Sequence, residues 1–313
     1  MRIFVAGATG VVGRRLVPEL VRRGHEVVGT TRTPGKLDRV RELGADPVLL
    51  DALDEIGVKD AVASAAPEVV VHQLTAIPEA VNPRHLDRDF EMTNRLRTEG
   101  TDHLLEAARA TGVRRFVAQS FAAWCYARTG DPVKSEEDPL ETDPPGSARE
   151  TLAAIRHVER AVTGSEDLEG IALRYGGFYG PGTTIGEASA MLEMIRKRRL
   201  PIVGRGTGVW SFLHVDDASS ATVAAIERGE RGIYNVADDD PAPVATWLPL
   251  LAEAIGAPRP RRVPLWLVRP MIGEAGVAMM TEIRGVSNAK AKRELAWQPA
   301  YASWRDGFRR GLE

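Results

Sequence analysis

The sequence predicts an α/β chain: a doubly wound parallel sheet with a small C-terminal substrate lobe. Three observations carry that expectation. Through the first half, short β-rich apolar runs alternate with amphipathic stretches, the pattern of parallel strands covered by helices on both faces. Gly7, Gly10 and Gly13 follow directly on the first run and open the first amphipathic stretch. The last third departs from the alternation, with five of the six tryptophans, several prolines and many apolar residues. It reads as a lobe over the sheet edge, not as an independent domain.

Taken in order, residues 2–7 read as a strand and 11–23 as a helix. Strands follow at 25–32, 46–51 and 67–74, then a helix near 91–111 and a strand over 114–121. Residues 127–148 are polar and rich in Pro, Gly and acid, a long surface loop. The stretch RETLAAIRHVERAV (149–162) has Leu152, Ile155, Val158 and Val162 at helical spacing. Beyond it come the blocks 170–182, 211–217 and 232–240, with helices near 186–198 and 244–256. The dinucleotide-binding core is expected over 1–169, with 212–236 returning to it. The substrate lobe is expected over 170–211 and 237–313.

The 313 residues suffice for one large domain or two smaller ones sharing a core. With 43% hydrophobic and 27% charged residues and a net charge of −2, the composition is that of a soluble globular protein. It gives no reason to expect nucleic acid or a membrane as partner; a small-molecule substrate is the expected one. The one cysteine, Cys125, excludes an internal disulfide and fits a reducing compartment. The N-terminus lacks a signal-peptide layout and no apolar run has the length of a membrane span. A cytoplasmic location is the expectation. No metal site is expected, because no His, Cys and carboxylate set has ligand spacing.

In GATGVVG (7–13) the first glycine allows a tight turn and the second lets a pyrophosphate approach the backbone. The third lets helix and strand pack closely. The phosphates then lie on the positive helix end. The alternative is a mere glycine turn, which the position between strand and helix disfavours. The spacing Gly-x-x-Gly-x-x-Gly resembles the short-chain dehydrogenase/reductase superfamily, a Rossmann fold, and in particular its extended, NAD-dependent epimerase/dehydratase branch. The resemblance runs nearly end to end. It includes Asp51, the block 71–76, Asn94, HLLEAARATGVRRFV (103–117), LRYGGFYGPG (173–182), FLHVDD (212–217), GIYNVAD (232–238) and SNAKAKRELAWQP (287–299). It implies a nicotinamide site formed by Gly7, Thr9, Gly10, Val11, Val12, Gly13, Asp51, Ala52, Leu74, Thr75, Ala76, Tyr175 and Gly176. It also implies a homodimer joined through helices near 94–110 and 149–163.

Which nicotinamide cofactor is bound depends on the end of the second strand. It reads Gly29, Thr30, Thr31, Arg32, with Lys36 beyond, and offers no acid for a ribose diol. Arg32 suits a 2′-phosphate. A solvated surface arginine is the bland reading, but the missing acid and the added base point the same way. NADP(H) is the expected cofactor.

The resemblance also implies a tyrosine, a lysine four residues later and a serine or threonine at the end of the fifth strand. Here Thr151 and Ile155 fall at the tyrosine and lysine positions, and Phe121 falls at the serine position with Ser120 beside it. No Tyr-x-x-x-Lys occurs anywhere in the chain. The arginine that grips a diphosphate in nucleotide-sugar enzymes is replaced by Trp210. A planar, apolar substrate between Phe121, Trp124, Gly177 and Trp210 fits better, although each aromatic is also ordinary core material. His72 and His214 read as packing residues. Tyr126 and Tyr175 are the tyrosines nearest the expected hydride path.

Three functions compete. The first is an NADPH-dependent ketoreductase acting on a planar aromatic carbonyl compound by an atypical mechanism. Its proton comes from water, Ser120, Tyr126 or a phenol adjacent to the ketone. The chain is similar here to atypical ketoreductases of actinomycete aromatic polyketide pathways, of the simocyclinone type. The second is a non-catalytic NADP(H) sensor. The third is an epimerase or dehydratase, which leans hardest on the missing base.

Overall fold

The structure, a computed structural model, describes residues 1–312. Its centre is a parallel sheet of seven strands: β1 (Arg2–Ala6), β2 (Glu26–Thr31), β3 (Asp46–Leu49), β4 (Val69–His72), β5 (Arg115–Phe121), β6 (Glu169–Tyr175) and β7 (Gly232–Val236), in the order β3-β2-β1-β4-β5-β6-β7. This is the doubly wound α/β sheet that the alternation of strands and helices predicts. Order reverses at β1, so the crevice beyond the carboxyl ends of β1 and β4 is where such a sheet takes a ligand.

Strand residues alternate between two cores. Ile3 and Val5 of β1 and Val117 of β5 face one side. There they meet α1 (Gly13–Arg22) through Leu16, Val17 and Leu20. Phe4, Ala6, Phe116 and Ala118 face the other. Helix α2 (Leu37–Glu42) lies between β2 and β3, and α3 (Glu55–Ala65) between β3 and β4. Burial on both faces makes each strand a near-continuous apolar run.

The helix expected near 91–111 is two, with a further single turn before them. The one-turn α4 (Leu86–Asp89) precedes α5 (Glu91–Arg97), and α6 (Glu99–Ala110) follows after a break at Thr98 (φ −98°, ψ −85°). The Thr98 hydroxyl donates to the Asn94 carbonyl at 3.0 Å, a side-chain bond that bends helices. Helix α7 (Arg149–Thr163) spans the stretch that the periodicity marks. The loop before it is tied to the lobe by a two-residue ladder of Val133–Lys134 on Gly285–Val286.

Two sequence expectations need correction. Residues 170–175, placed in the lobe, belong to β6 at the heart of the sheet. A helix over the 215–228 stretch was not anticipated. Its run of small residues is buried nearly all round and shows no amphipathic stripe. It forms α9 (Val215–Arg228) and packs with α1. The lobe carries α8 (Ala190–Arg196), α10 (Val244–Ala254), α11 (Leu265–Thr281), α12 (Ala289–Glu294) and α13 (Trp304–Arg310). Phe212, Trp247, Leu251, Trp304 and Phe308 form its core.

One buried ion pair joins α7 to the sheet. The Arg174 Nε and Nη2 donate to Glu159 Oε1 and Oε2 at 2.7 and 2.6 Å, with both side chains almost fully enclosed. Removing one partner leaves an uncompensated buried charge. Arg174→Met is therefore expected to cost about 3–5 kcal/mol in denaturant unfolding. Glu159→Leu combined with Arg174→Met should recover most of that loss.

Candidate active site

The turn after β1 is shaped for close approach. Gly7 has φ +98°, and a Cβ there would lie 3.0 Å from the Gln73 carbonyl oxygen. A Cβ on Gly13 would lie 2.2 Å from the Gly7 oxygen, so only glycine lets α1 sit this close to β1. Gly10 is exposed at the tip, its N–H donating to the Gly7 oxygen at 3.0 Å. No side chain caps the N-terminus of α1 and no acid lies in its first turn. The N–H groups around Thr9, Val11, Val12 and Gly13 and the positive end of the helix dipole thus remain available for an anion. A side chain at Gly7 or Gly13 would close this cradle, and the residues present fit the pyrophosphate of a dinucleotide.

The rim of the cradle is ordered. Thr30 Oγ1 accepts the Gly7 N–H at 3.2 Å. Arg32 and Lys36 stand exposed beyond β2. Asp51 accepts the Leu53 N–H at 3.0 Å, and the Ala52 carbonyl contacts His103 Nδ1 at 3.0 Å. The segment Leu74, Thr75, Ala76 is anchored at both ends, by Leu74 N–H on His72 Nδ1 at 3.2 Å and Ala76 N–H on Thr93 Oγ1 at 3.0 Å. His72 is buried, which holds its pKa down at about 4 and keeps it a neutral acceptor.

Tyr175 departs from expectation. Its phenol is buried against Thr222 Oγ1 (2.6 Å) and Gln73 Nε2 (3.1 Å), with the pKa pushed up by burial to about 12. Its backbone oxygen accepts the Ala122 N–H, and the Gly176 N–H is bonded to the Val236 oxygen. Both backbone bonds lie at the carboxyl ends of the sheet strands, and the Tyr175 phenol is directed to Gln73 and α9.

The proposed proton donors are also committed elsewhere. The Ser120 hydroxyl, 1% exposed, donates to Glu159 Oε1 at 2.6 Å. The Tyr126 hydroxyl donates to Asn235 Oδ1 at 2.8 Å and accepts from Arg174 Nη1 at 2.7 Å, and burial raises its pKa. Both belong to the shell of the Glu159–Arg174 pair. Each hydroxyl is bound inside the core. Thr151 donates to Asp87 Oδ1 at 2.8 Å and accepts from Asn94 Nδ2 at 3.2 Å. Ile155 is fully buried among Ala122, Cys125 and Tyr126.

Three of the aromatics share one apolar cluster. Trp124 is packed with Leu86, Leu152, Ala275 and Ala278, and Phe121 and Trp210 close on the same cluster. The Trp210 indole N–H donates to the Met279 oxygen at 2.9 Å, holding the ring to α11. Gly177 sits apart, its N–H on the Ser211 oxygen at 2.8 Å. Sequence reasoning missed Asp87 and Arg97. Arg97 follows Asn94 by one helical step onto the buried face of α5, which was its only signal. Among the described residues no group of three or more His, Cys, Asp or Glu side chains is placed to hold a metal ion. No helix is long and apolar enough to cross a membrane.

Cradle, sheet and lobe define a nicotinamide-dependent Rossmann protein. Residues 3–237 match the NAD dependent epimerase/dehydratase family, and the chain belongs to it. It is 46% identical over 319 residues to a 3-diazoavenalumate denitrifying reductase of a Streptomyces species, covering 99% of this chain and 100% of that one. It is 29% identical over 259 residues to a 4-hydroxy-2-methyl-3-oxo-4-farnesyl-3,4-dihydroquinoline-1-oxide ketoreductase of Stigmatella aurantiaca, covering 82% and 74% of the two chains. Among solved structures, UDP-glucose 4-epimerase of Thermotoga maritima superposes with a TM-score of 0.78 at 22% identity, covering 100% of this chain and 97% of that one. The chain is an NAD(P)-dependent reductase.

Ser120→Ala and Tyr126→Phe each remove a buried hydrogen bond. Each should lower stability by about 1–2 kcal/mol in chemical unfolding. Steady-state turnover should stay within about threefold of the parent, whereas a lost proton donor would cost about 10²–10⁴-fold.

Proposed function

We propose that this protein is an NADPH-dependent reductase of an aryl diazo group, releasing dinitrogen and leaving hydrogen on the ring carbon. The observation that carries the reading is the absence of an acid at positions 151, 155 and 121, beside end-to-end likeness to a reductase whose name describes loss of nitrogen from a diazo compound. NADPH, when bound, supplies a hydride.

Reduction of a ketone builds charge on oxygen and calls for a proton donor. An arenediazonium is already a cation. It accepts hydride at its terminal nitrogen and becomes a neutral aryldiazene. The aryldiazene gives up its N–H proton, the carbon–nitrogen bond breaks to free dinitrogen, and the ring carbon takes a proton from water. No net proton is consumed and no alkoxide forms. The apolar wall of Phe121, Trp124 and Trp210 holds a flat ring and keeps water from the reactive group. Gly7, Gly10, Gly13 and the open end of α1 hold the pyrophosphate, and Arg32 and Lys36 receive the 2′-phosphate.

A second reading has support in the Stigmatella ketoreductase relative. A ketone flanked by a phenol carries its own hydrogen-bond donor and also dispenses with an enzyme acid. The two readings separate in one assay. A hydroxyaryl diazo compound should consume NADPH and release dinitrogen in equal amounts. Consumption only with phenol-flanked ketones would favour the second reading. Binding of NADPH without turnover of either class would leave a sensor.

Cofactor choice is tested independently. NADPH should bind more tightly than NADH, and Arg32→Asp should reverse the order, since an acid repels the 2′-phosphate and accepts the ribose hydroxyl. The same preference before and after the substitution, read by titration, would remove Arg32 from the site.

A further inference from the structure

Arg97 ends α5, is 4% exposed, and has its Nε and Nη1 enclosed without a hydrogen-bond partner. Among the described residues no ion pair holds it. An enclosed cation of this kind is costly unless something completes it. Burial lowers its pKa to about 10, which leaves it charged at neutral pH. Glu159 is the carboxylate within its electrostatic reach. Both oxygens of Glu159 are already engaged, by Arg174 at 2.7 and 2.6 Å and by Ser120 at 2.6 Å. Arg156, also near, has an enclosed and unpaired Nε. Around the buried Cys125 thiol, Arg97, Arg156 and Arg174 gather with Glu159, and Arg174 is also within electrostatic reach of Glu136. The surplus charge is positive.

The position of Arg97 in the fold gives that surplus a purpose. Two contacts fix α5 and α6 against α7, Asn94 with Thr151 and Asp102 with His157, and a third, Arg109 with Ser165, lies just past the end of α7, at sequence separations of 57, 55 and 56. The helices run side by side in one direction. The same offsets carry Arg97 to the level of residues 152–154, between Thr151 and Ile155. Cys125, which packs beside Ile155, donates its thiol to the Phe121 carbonyl at the foot of the aromatic wall. Arg97 is therefore level with positions 151 and 155 and near Cys125.

We propose that Arg97 anchors the aromatic substrate by its phenolate oxygen, next to the group that is reduced. The proposal rests on the reading of the site as an aryl reductase. An oxygen anion on the ring itself is conjugated with the group that is reduced. A phenolate ortho or para to a diazo group shares its electrons between a quinone-like form and a diazonium form. A guanidinium on the oxygen favours the second, whose terminal nitrogen accepts hydride. Arg97 would then both orient the ring and raise its electrophilicity.

The test uses the full chain loaded with NADP⁺ and the inert probe 4-nitrophenol, whose phenolate is yellow. The parent protein should bind it as phenolate at a pH where the free probe is largely protonated. Arg97→Met should weaken binding about tenfold or more, as expected for loss of a charge-assisted hydrogen bond, and abolish the colour shift. Arg97→Lys should keep most of the shift, and neutral 4-nitroanisole should bind parent and variants alike. Several results would overturn the proposal: a probe bound in its protonated form, a shift that survives Arg97→Met, a selective loss of 4-nitrobenzoate binding instead, or a loss of NADP⁺ affinity. None of these measurements needs turnover. Failure to reduce any diazo compound would sink the proposed reaction and leave the phenolate site standing.

Discussion

Glu159 and Arg174 hold each other through two short N–H···O contacts in the interior, and the site is arranged around this pair. It couples α7 to β6. Through Ser120 it reaches β5, and through Tyr126 and Asn235 it reaches the turn after β5 and the last sheet strand, β7. The guanidinium also lies over the Tyr126 ring, 5.0 Å from its centre. Desolvating two charges is costly, and such a pair survives only with its remaining donors and acceptors satisfied. That requirement recruits the surrounding hydroxyls, and a hydroxyl held between a buried carboxylate or guanidinium and the core is not free to serve a substrate.

The same saturation explains what is left over. Glu159 is taken up by Arg174 and Ser120, and Arg97 Nε and Nη1 are left without a hydrogen-bond partner. On the proposed reading, chemistry at this site works with a cation, an apolar aromatic wall and a nicotinamide cradle, and without a neutral acid. Such a set suits substrates that arrive electrophilic or that bring their own proton. It suits poorly a reaction that must take a proton from an alcohol.

The strands of the sheet were legible because both their faces are buried, which writes each as a compact apolar run between turn residues. The cradle was legible because a positive φ at Gly7 and the contact of Gly13 with the Gly7 carbonyl leave no other residue type. Helix α9 was not, since a helix buried nearly all round carries no stripe. The orientation of Ser120 was within reach. Phe116, Ala118 and Ser120 share one face of β5 by the period of two, and Phe116 and Ala118 lie in the core beneath α6 and α7. The commitment of Tyr126 was not, because its partners Arg174 and Asn235 lie 48 and 109 residues away in sequence. Arg97 was hidden for the same reason: only the packing of α5 on α7 reveals that an ordinary arginine is enclosed and unpaired.

Retention of α7 without its expected chemistry has a structural cause. One face of this helix carries Leu152, Val158 and Val162 into the cores and Glu159 into the ion pair. Positions 151 and 155 lie one turn apart at the cleft end, where Thr151 links Asp87 to Asn94 and Ile155 fills space beside Cys125. A tyrosine and a lysine could be lost from those two positions without disturbing the contacts that hold the helix. The fold is therefore indifferent to the proton donor, while the stability of the helix rests on residues that never touch a substrate. On this scaffold a reaction that needs no acid can replace one that does, provided that a new group binds and polarises the substrate from a neighbouring element. The enclosed end of α5, with its unpaired guanidinium, is where we propose that group.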